Sequence, residues 1–240
     1  MEFNNCDFNN KEEELIFNFN EIYKRCRNSF TTGIGSYLFD GRKYEYDPRM
    51  FEKQKLIFDL AKQNKNIMEI GVYMGHSLLI MLLSNPSLKI TCIDIDDYYS
   101  LPAVNYLKEN FKEADIKFIK GDSIKKLLEI DQNFDLYHLD GNHSPFRISK
   151  EILLCLRMNK SNHIKILFDD IDYIRTVEKN IINNFDIIKK ITPDCKSKNA
   201  YYEFKFYEEK IKKFKISHNK YLFFSFPKRL IKKLIRLVKK

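Results

Sequence analysis

The chain has 240 residues, 44% of them apolar and 14% aromatic, which points to one large folded domain. Five scattered cysteines with no CxxC pair exclude a disulfide framework and a structural zinc site, and they fit a reducing compartment. Net charge is +9, but Lys210 to Lys240 holds twelve basic residues and no acidic one, leaving residues 1–209 at −3, so the body shows no compositional sign of being built around a polyanion.

The first residues carry no basic stretch followed by an apolar one, and the longest wholly apolar run, Leu78 to Leu83, is far too short to span a bilayer. A cytoplasmic protein is expected. Residues 1–46 are polar and glycine-interrupted. Leu15, Ile16, Phe19, Ile22 and Tyr23 at helical spacing predict a short helix there, followed by a lid-like segment. Asp47 as cap and Pro48 at the first helical position open a second helix reaching about Lys65.

Short apolar runs then alternate with helical patterns. Strands are predicted at Ile67 to Gly71, Lys89 to Ile95, Ile116 to Lys120, Phe134 to Leu139 and His163 to Phe168. Helices are predicted at about 75–84, 100–112, 123–130, 145–158 and 171–184. This is the rhythm of βαβ units around a parallel sheet. Strands Phe185 to Ile191 and Ala200 to Tyr207 close a domain spanning 47–209. The remainder, 210–240, is a basic tail. Over 227–240 its Leu, Ile and Val fall on one helical face and its Lys and Arg on the other. Such a helix can lie on an anionic membrane, grip nucleic acid, or pack on the domain with its lysines solvated. Its sharp apolar face favours the membrane over nucleic acid.

Ligands of open α/β sheets bind at the carboxyl ends of the strands, so the residues after each run carry the functional information. After the first strand, Glu69, Gly71 and Gly75 lie in a turn that opens a helix at about Ser77. The next four strands end in Asp94 and Asp96, in Asp122 and Ser123, in Asp140 with Gly141, Asn142 and His143, and in Asp169 with Asp170. Any one of these acids alone reads equally as a helix cap or a solvated loop residue. Four in succession read as a site. Two glycines rather than three, with no basic residues in the turn, favour a nucleoside ligand without a pyrophosphate.

The segment E-I-G-V-Y-M-G-H-S, Glu69 to Ser77, resembles the first motif of class I S-adenosylmethionine-dependent methyltransferases in the form found in catechol and caffeoyl-coenzyme A O-methyltransferases. The run DLYHLDGNHS with ILFDD downstream is similar to the branch containing macrolide-sugar O-methyltransferases and cephalosporin hydroxylase-like proteins. The resemblance covers about Met50 to Tyr207. It implies a Rossmann-like, doubly wound, seven-stranded and mostly parallel α/β sheet with an antiparallel last strand and helices on both faces.

For the site, the resemblance implies that S-adenosylmethionine lies against Glu69, Gly71, Tyr73, Gly75 and Ser77 through its methionine part. Asp94 would take the ribose, Asp122 and Ser123 the adenine, and Asp140 the reacting end. It implies a Mg²⁺ held by Asp140, Asp169 and Asp170, a hard-oxygen set suited to that ion, and His143 as catalytic base beside Asp140. His76, His138, His163 and His218 have no comparable setting and read as packing or surface residues. The usual glycine turn before the fifth strand is replaced by Asn159 to Asn162, which can keep the turn through the tolerance of Asn for left-handed geometry. The expected acceptor is a small molecule with adjacent hydroxyls, sugar-like, and a homo-oligomer is compatible with all of this. Two other readings stand beside it: an inactive cofactor-binding or interaction protein, and a nucleic-acid methyltransferase gripping through the tail.

Overall fold

A computed structural model describes residues 7–35, 37–195, 199–217 and 219. The amphipathic tail segment and His218 lie outside the described residues.

The strands are β1 (Asn66–Ile70), β2 (Lys89–Asp94), β3 (Asp115–Lys120), β4 (Leu136–Leu139), β5 (His163–Phe168), β6 (Asp186–Ile191) and β7 (Ala200–Lys205). They form one sheet in the order β3-β2-β1-β4-β5-β7-β6. β7 runs antiparallel to both its neighbours, and the β1, β2, β3, β4 and β5 pairings are all parallel. This is the expected doubly wound, seven-stranded α/β fold. The chain reverses direction across the sheet between β1 and β4, so their carboxyl ends flank the crevice where such sheets bind ligands.

Helices α1 (Glu12–Arg25), α2 (Phe51–Lys62), α3 (His76–Ser84) and α4 (Ser100–Asn110) cover one face. Helices α5 (Ser123–Glu129), α6 (Pro145–Met158) and α7 (Arg175–Asn184) cover the other. Strand alternation explains how two cores arise from one sheet. Ile67 of β1 and Leu136 of β4 join the α1–α4 core, while Met68, Ile70, Tyr137 and Leu139 join the α5–α7 core. Glu69 and His138, opposite each other in register, are thereby both sent under the first face.

Local chemistry accounts for the helix starts. Asp47 accepts a hydrogen bond from the Arg49 amide at 3.0 Å and Pro48 opens a 3-10 turn, Pro48–Met50, that feeds α2. Ser144 caps α6 in the same way, with Pro145 following. The 171–184 region predicted as one helix is a 3-10 turn, Ile171–Ile174, followed by α7. The Asn159–Asn162 turn does not use left-handed geometry, since none of its residues has positive φ. Instead Asn159 Oδ1 accepts from Ser161 N and Oγ, and its amide donates to the His163 carbonyl, closing the turn with a side chain.

Leu15, Phe19 and Ile22 of α1 belong to the same core as α2 and α3. Phe19 and Tyr23 both stack on Tyr44, with ring centroids 4.0 and 4.1 Å away. These contacts lay the segment that follows α1 across the carboxyl end of the sheet. Helical residues 208–217 carry Phe214, fully buried, to within 5.2 Å of the Phe185 ring.

Candidate active site

A cavity of about 880 Å³ opens over the β1–β4 crevice, within the range that encloses a small ligand. Gly71, Tyr73, Ser77, Asp94, Ser123, Asp140, His143, Asp169 and Asp170 are in its wall, and the overlying segment contributes Thr31, Gly35 and Tyr37. Most of the residues that the sequence singles out are therefore brought together. Glu69, Gly75 and Asp122 are not in the wall and act from behind it.

Glu69 is fully buried. Its Oε1 accepts from Ser77 Oγ and lies 2.8 Å from His138 Nδ1, while His138 Nε2 is 2.7 Å from the Tyr37 hydroxyl. Burial alone would push the His138 imidazole down, but the Glu69 carboxylate outweighs it and raises the group. The chain Ser77–Glu69–His138–Tyr37 thus ties the start of α3, the sheet and the covering segment together. Glu69 Oε2 has no hydrogen-bond partner among the described residues. Glu69 thereby orients Ser77, which is in the cavity wall.

Gly71 has φ +89° and Gly75 +67°, both left-handed. A Cβ on Gly71 would lie 2.2 Å from the Asp140 carbonyl oxygen, so this glycine is required by the close approach of the β1 and β4 exits, with or without a ligand. Gly75 caps α3 and packs against Leu107 and Ala103. Between them Tyr73, also left-handed at φ 48°, faces the cavity, and its hydroxyl accepts a hydrogen bond from the Thr31 amide at 2.9 Å.

Asp94 Oδ2 accepts from the Val72 and Tyr73 amides at 2.8 and 2.9 Å, and Oδ1 accepts from Asp96 N at 3.0 Å. A carboxylate has about four acceptor positions. With three taken, Asp94 keeps acceptor capacity toward the cavity that it lines. Asp122 caps α5 through the Lys125 amide and pairs with Arg147 at 2.7 Å, and this guanidinium holds its carboxyl low. Arg147, absent from the sequence reading, lines the cavity and also donates to Ser123 Oγ at 3.1 Å. Behind them Glu151 is fully buried, accepts from Ser123 Oγ at 2.5 Å, and is pushed up to about 7 by burial.

At the other end of the cavity the exits of β4 and β5 meet. Backbone hydrogen bonds from Asp140 N to Ile70 O and from Asp169 N to Leu139 O set the two acids side by side. Asp170 takes a left-handed φ of 47°, a conformation Asp tolerates. That turn brings a second consecutive acid to the same wall. His143 Nε2 lies 3.5 Å from Asp140 Oδ1 and its Nδ1 3.2 Å from Asp170 Oδ2. Ligand atoms of Asp140, His143 and Asp169 all fall within 4.8 Å of one another.

Burial and the neighbouring Asp169 carboxylate raise Asp140 to about 7. Burial acts against charge on Asp169 too, but the Lys53 ammonium beside it keeps that carboxyl low. Burial also works against a charge on His143, yet Asp140 and Asp170 on either side lift it to about 10. Lys53, Tyr37 and Arg147 are the principal site residues missing from the sequence reading. Lys53 left a trace: it falls on the apolar stripe of α2 with Met50, Ile57 and Leu60, all buried, at a spacing where a lysine is out of place. Tyr37 and Arg147 left none, because only the tertiary fold brings them to the cavity.

The fold and the cavity ending in clustered acids define a Rossmann-like α/β protein with a ligand site at the carboxyl ends of its strands. Residues 53–170 match the family model described as O-methyltransferase. The chain belongs to the S-adenosylmethionine-dependent O-methyltransferase family. No curated protein matches it. Among solved structures, an O-methyltransferase from Bacillus cereus in complex with S-adenosylhomocysteine is similar at TM-score 0.58 and 12% identity, over 79% of this chain and 91% of that one. TomG from Streptomyces achromogenes, an O-methyltransferase involved in tomaymycin synthesis and bound to S-adenosylmethionine, is similar at 0.57 and 14%, over 79% and 90%. The methyltransferase PaMTH1 from Podospora anserina, bound to S-adenosylhomocysteine, is similar at 0.57 and 13%, over 84% and 98%. At these identities the likeness is one of fold.

Proposed function

We propose that this O-methyltransferase transfers the methyl group of S-adenosylmethionine to one of two adjacent hydroxyls on a small, sugar-like acceptor, with a divalent cation at the β4–β5 exits. The observation that carries the reading is the junction of two half-sites in one cavity. A nucleoside side is formed by Asp94, Ser77 and Ser123, and an acid–imidazole side by Asp140, His143, Asp169 and Asp170.

The residues fit both groups. Asp94 retains an acceptor position toward the cavity, where a ribose would lie. The acid side offers the hard carboxylate oxygens of Asp140, Asp169 and Asp170, which suit Mg²⁺ or Mn²⁺, with the His143 imidazole beside them. A divalent cation held by Asp140, Asp169 and Asp170 would lower the pKa of an acceptor hydroxyl and take over the negative charge that keeps His143 protonated.

The protein's own part in the reaction is alignment and proton removal. Ser77, oriented by Glu69, and Asp94, fixed by two backbone amides, would hold the cofactor, which would supply the methyl group to the acid–imidazole side of the cavity. His143, steered by Asp140 and Asp170, accepts the proton of the attacking hydroxyl. Tyr37 and the Thr31–Tyr73 hydrogen bond keep the covering segment over the reacting atoms, where water would compete as acceptor.

No helix among the described residues is long and apolar enough to cross a membrane. We place the enzyme in the cytoplasm, with residues 227–240 resting on anionic membrane. Deleting 227–240 should abolish pelleting with anionic liposomes and leave turnover of a soluble acceptor intact. For the reaction itself, isothermal titration of the full chain with S-adenosylhomocysteine should show one site per chain, and absence of binding would overturn the reading.

A further inference from the structure

Lys53 is fully buried, with 0% of its side chain exposed. Its Nζ lies 2.8 Å from Asp169 Oδ1 and 3.9 Å from the centroid of the Tyr37 ring. Lysine is among the residues least often buried, and an ammonium taken out of water is retained only where a counter-charge and further contacts offset its desolvation. Lys53 stands behind the cavity wall, of which Asp169 is part. What it does reach is the charge of the acid cluster.

Asp140, Asp169 and Asp170 bring three negative charges to the β4–β5 exits when ionised, and Lys53 adds one positive charge at Asp169. With His143 neutral, as a base must be, the sum is −2. That equals the charge of one divalent cation. Without the lysine the same three carboxylates would present −3, which favours an ion of higher charge. The ion pair also fixes Asp169 Oδ1 toward α2. Oxygen ligands alone separate such ions poorly, since affinity follows charge and ligand count.

We propose that Lys53 is a built-in counter-ion of the acid cluster, a positioning residue that sets the site's charge so that it takes a divalent rather than a trivalent cation. This inference rests on the metal reading given above. In this account the buried lysine does not replace the metal. It matches an otherwise over-charged set of ligands to an ion of charge two.

The test is direct binding to the full-length chain at fixed pH: Mn²⁺ by electron paramagnetic resonance of the free ion, and Tb³⁺ by luminescence. Lys53→Gln keeps a hydrogen-bond donor at Asp169 and removes the charge. It should raise the ratio of Tb³⁺ to Mn²⁺ affinity by about tenfold or more, because one added unit of negative charge attracts a triply charged ion more strongly. Lys53→Arg should leave the ratio at the wild-type value. Lys53→Gln combined with Asp170→Asn, which removes one charge of each sign, should restore it. A merely structural lysine would weaken both ions together and leave the ratio unmoved. An unchanged or lowered ratio in a Lys53→Gln protein that melts as a folded chain overturns the inference alone. A wild-type chain that binds neither ion overturns the metal reading and this inference with it.

Discussion

Gly71→Ala separates two explanations for the glycine of the first motif. If the residue serves the ligand, alanine should leave the apo protein intact and weaken cofactor binding. The structure says otherwise: the added Cβ would sit 2.2 Å from the Asp140 carbonyl oxygen and 2.6 Å from its carbon, with φ at +89°. The left-handed backbone costs an alanine about 1–2 kcal/mol. Overpacking against backbone, which cannot rotate away, adds roughly 1–3 kcal/mol. For a chain of this size the total corresponds to a fall in melting temperature of roughly 10 °C. Gly75→Ala is the control, because its Cβ would meet side chains alone, Leu107, Ala103 and Leu78 at 3.3, 3.4 and 3.9 Å, and its loss should be about 1–2 kcal/mol. Differential scanning calorimetry of the apo proteins reads both. If Gly71→Ala melts within about 2 °C of wild type and loses only cofactor affinity, the backbone argument is refuted.

Asp94→Asn removes a charged acceptor from the Val72 and Tyr73 amides, and S-adenosylhomocysteine affinity should fall by about tenfold or more in calorimetric titration; unchanged affinity would remove Asp94 from the cofactor site. His143→Gln should lower kcat by about 10²–10⁴ with S-adenosylhomocysteine affinity held within about threefold, and a variant with full turnover would show that another group takes the proton. Glu151 is raised from 4.5 to about 7 by burial, so its contribution to stability is present below pH 4.5 and is lost as pH rises through about 7. Glu151→Gln should flatten that slope, worth about 3 kcal/mol as an order of magnitude, in urea titrations across that range. A variant with the wild-type slope would assign it to other groups.

Most of the scaffold was legible because its signals are local. Hydrophobic runs gave all seven strands to within two residues at nearly every boundary, and Asp47-Pro48 and Ser144-Pro145 marked two helix starts through side-chain caps that the structure contains. The acids at strand ends were legible for a topological reason: parallel strands deliver their carboxyl ends to one side, so Asp94, Asp140, Asp169 and Asp170 had to converge. What stayed hidden depends on pairs far apart in sequence. Asp169 and Lys53 are 116 residues apart, and His138 and Tyr37 are 101 apart. His138 was read as a packing residue, and it is buried among hydrogen bonds rather than facing the cavity. Glu69 and Gly71 are legible from the motif, while the protein atoms they approach, Ser77 Oγ and the Asp140 backbone, emerge only from distances. The 171–184 region kept its helical periodicity, while the left-handed turn at Asp170 broke its first turn into a 3-10 segment.

The central claim is metal-assisted methyl transfer to one of two adjacent hydroxyls. Methyl transfer from S-adenosylmethionine should be measured on a panel of sugars and polyols with vicinal hydroxyls and on their monodeoxy analogues, with Mg²⁺ present, after EDTA, and after Mg²⁺ is restored. The account predicts methylation of vicinal diols, loss of turnover on chelation with recovery on adding Mg²⁺, and little turnover of the monodeoxy compounds. Equal turnover of a diol and its monodeoxy analogue, unaffected by EDTA, would contradict it.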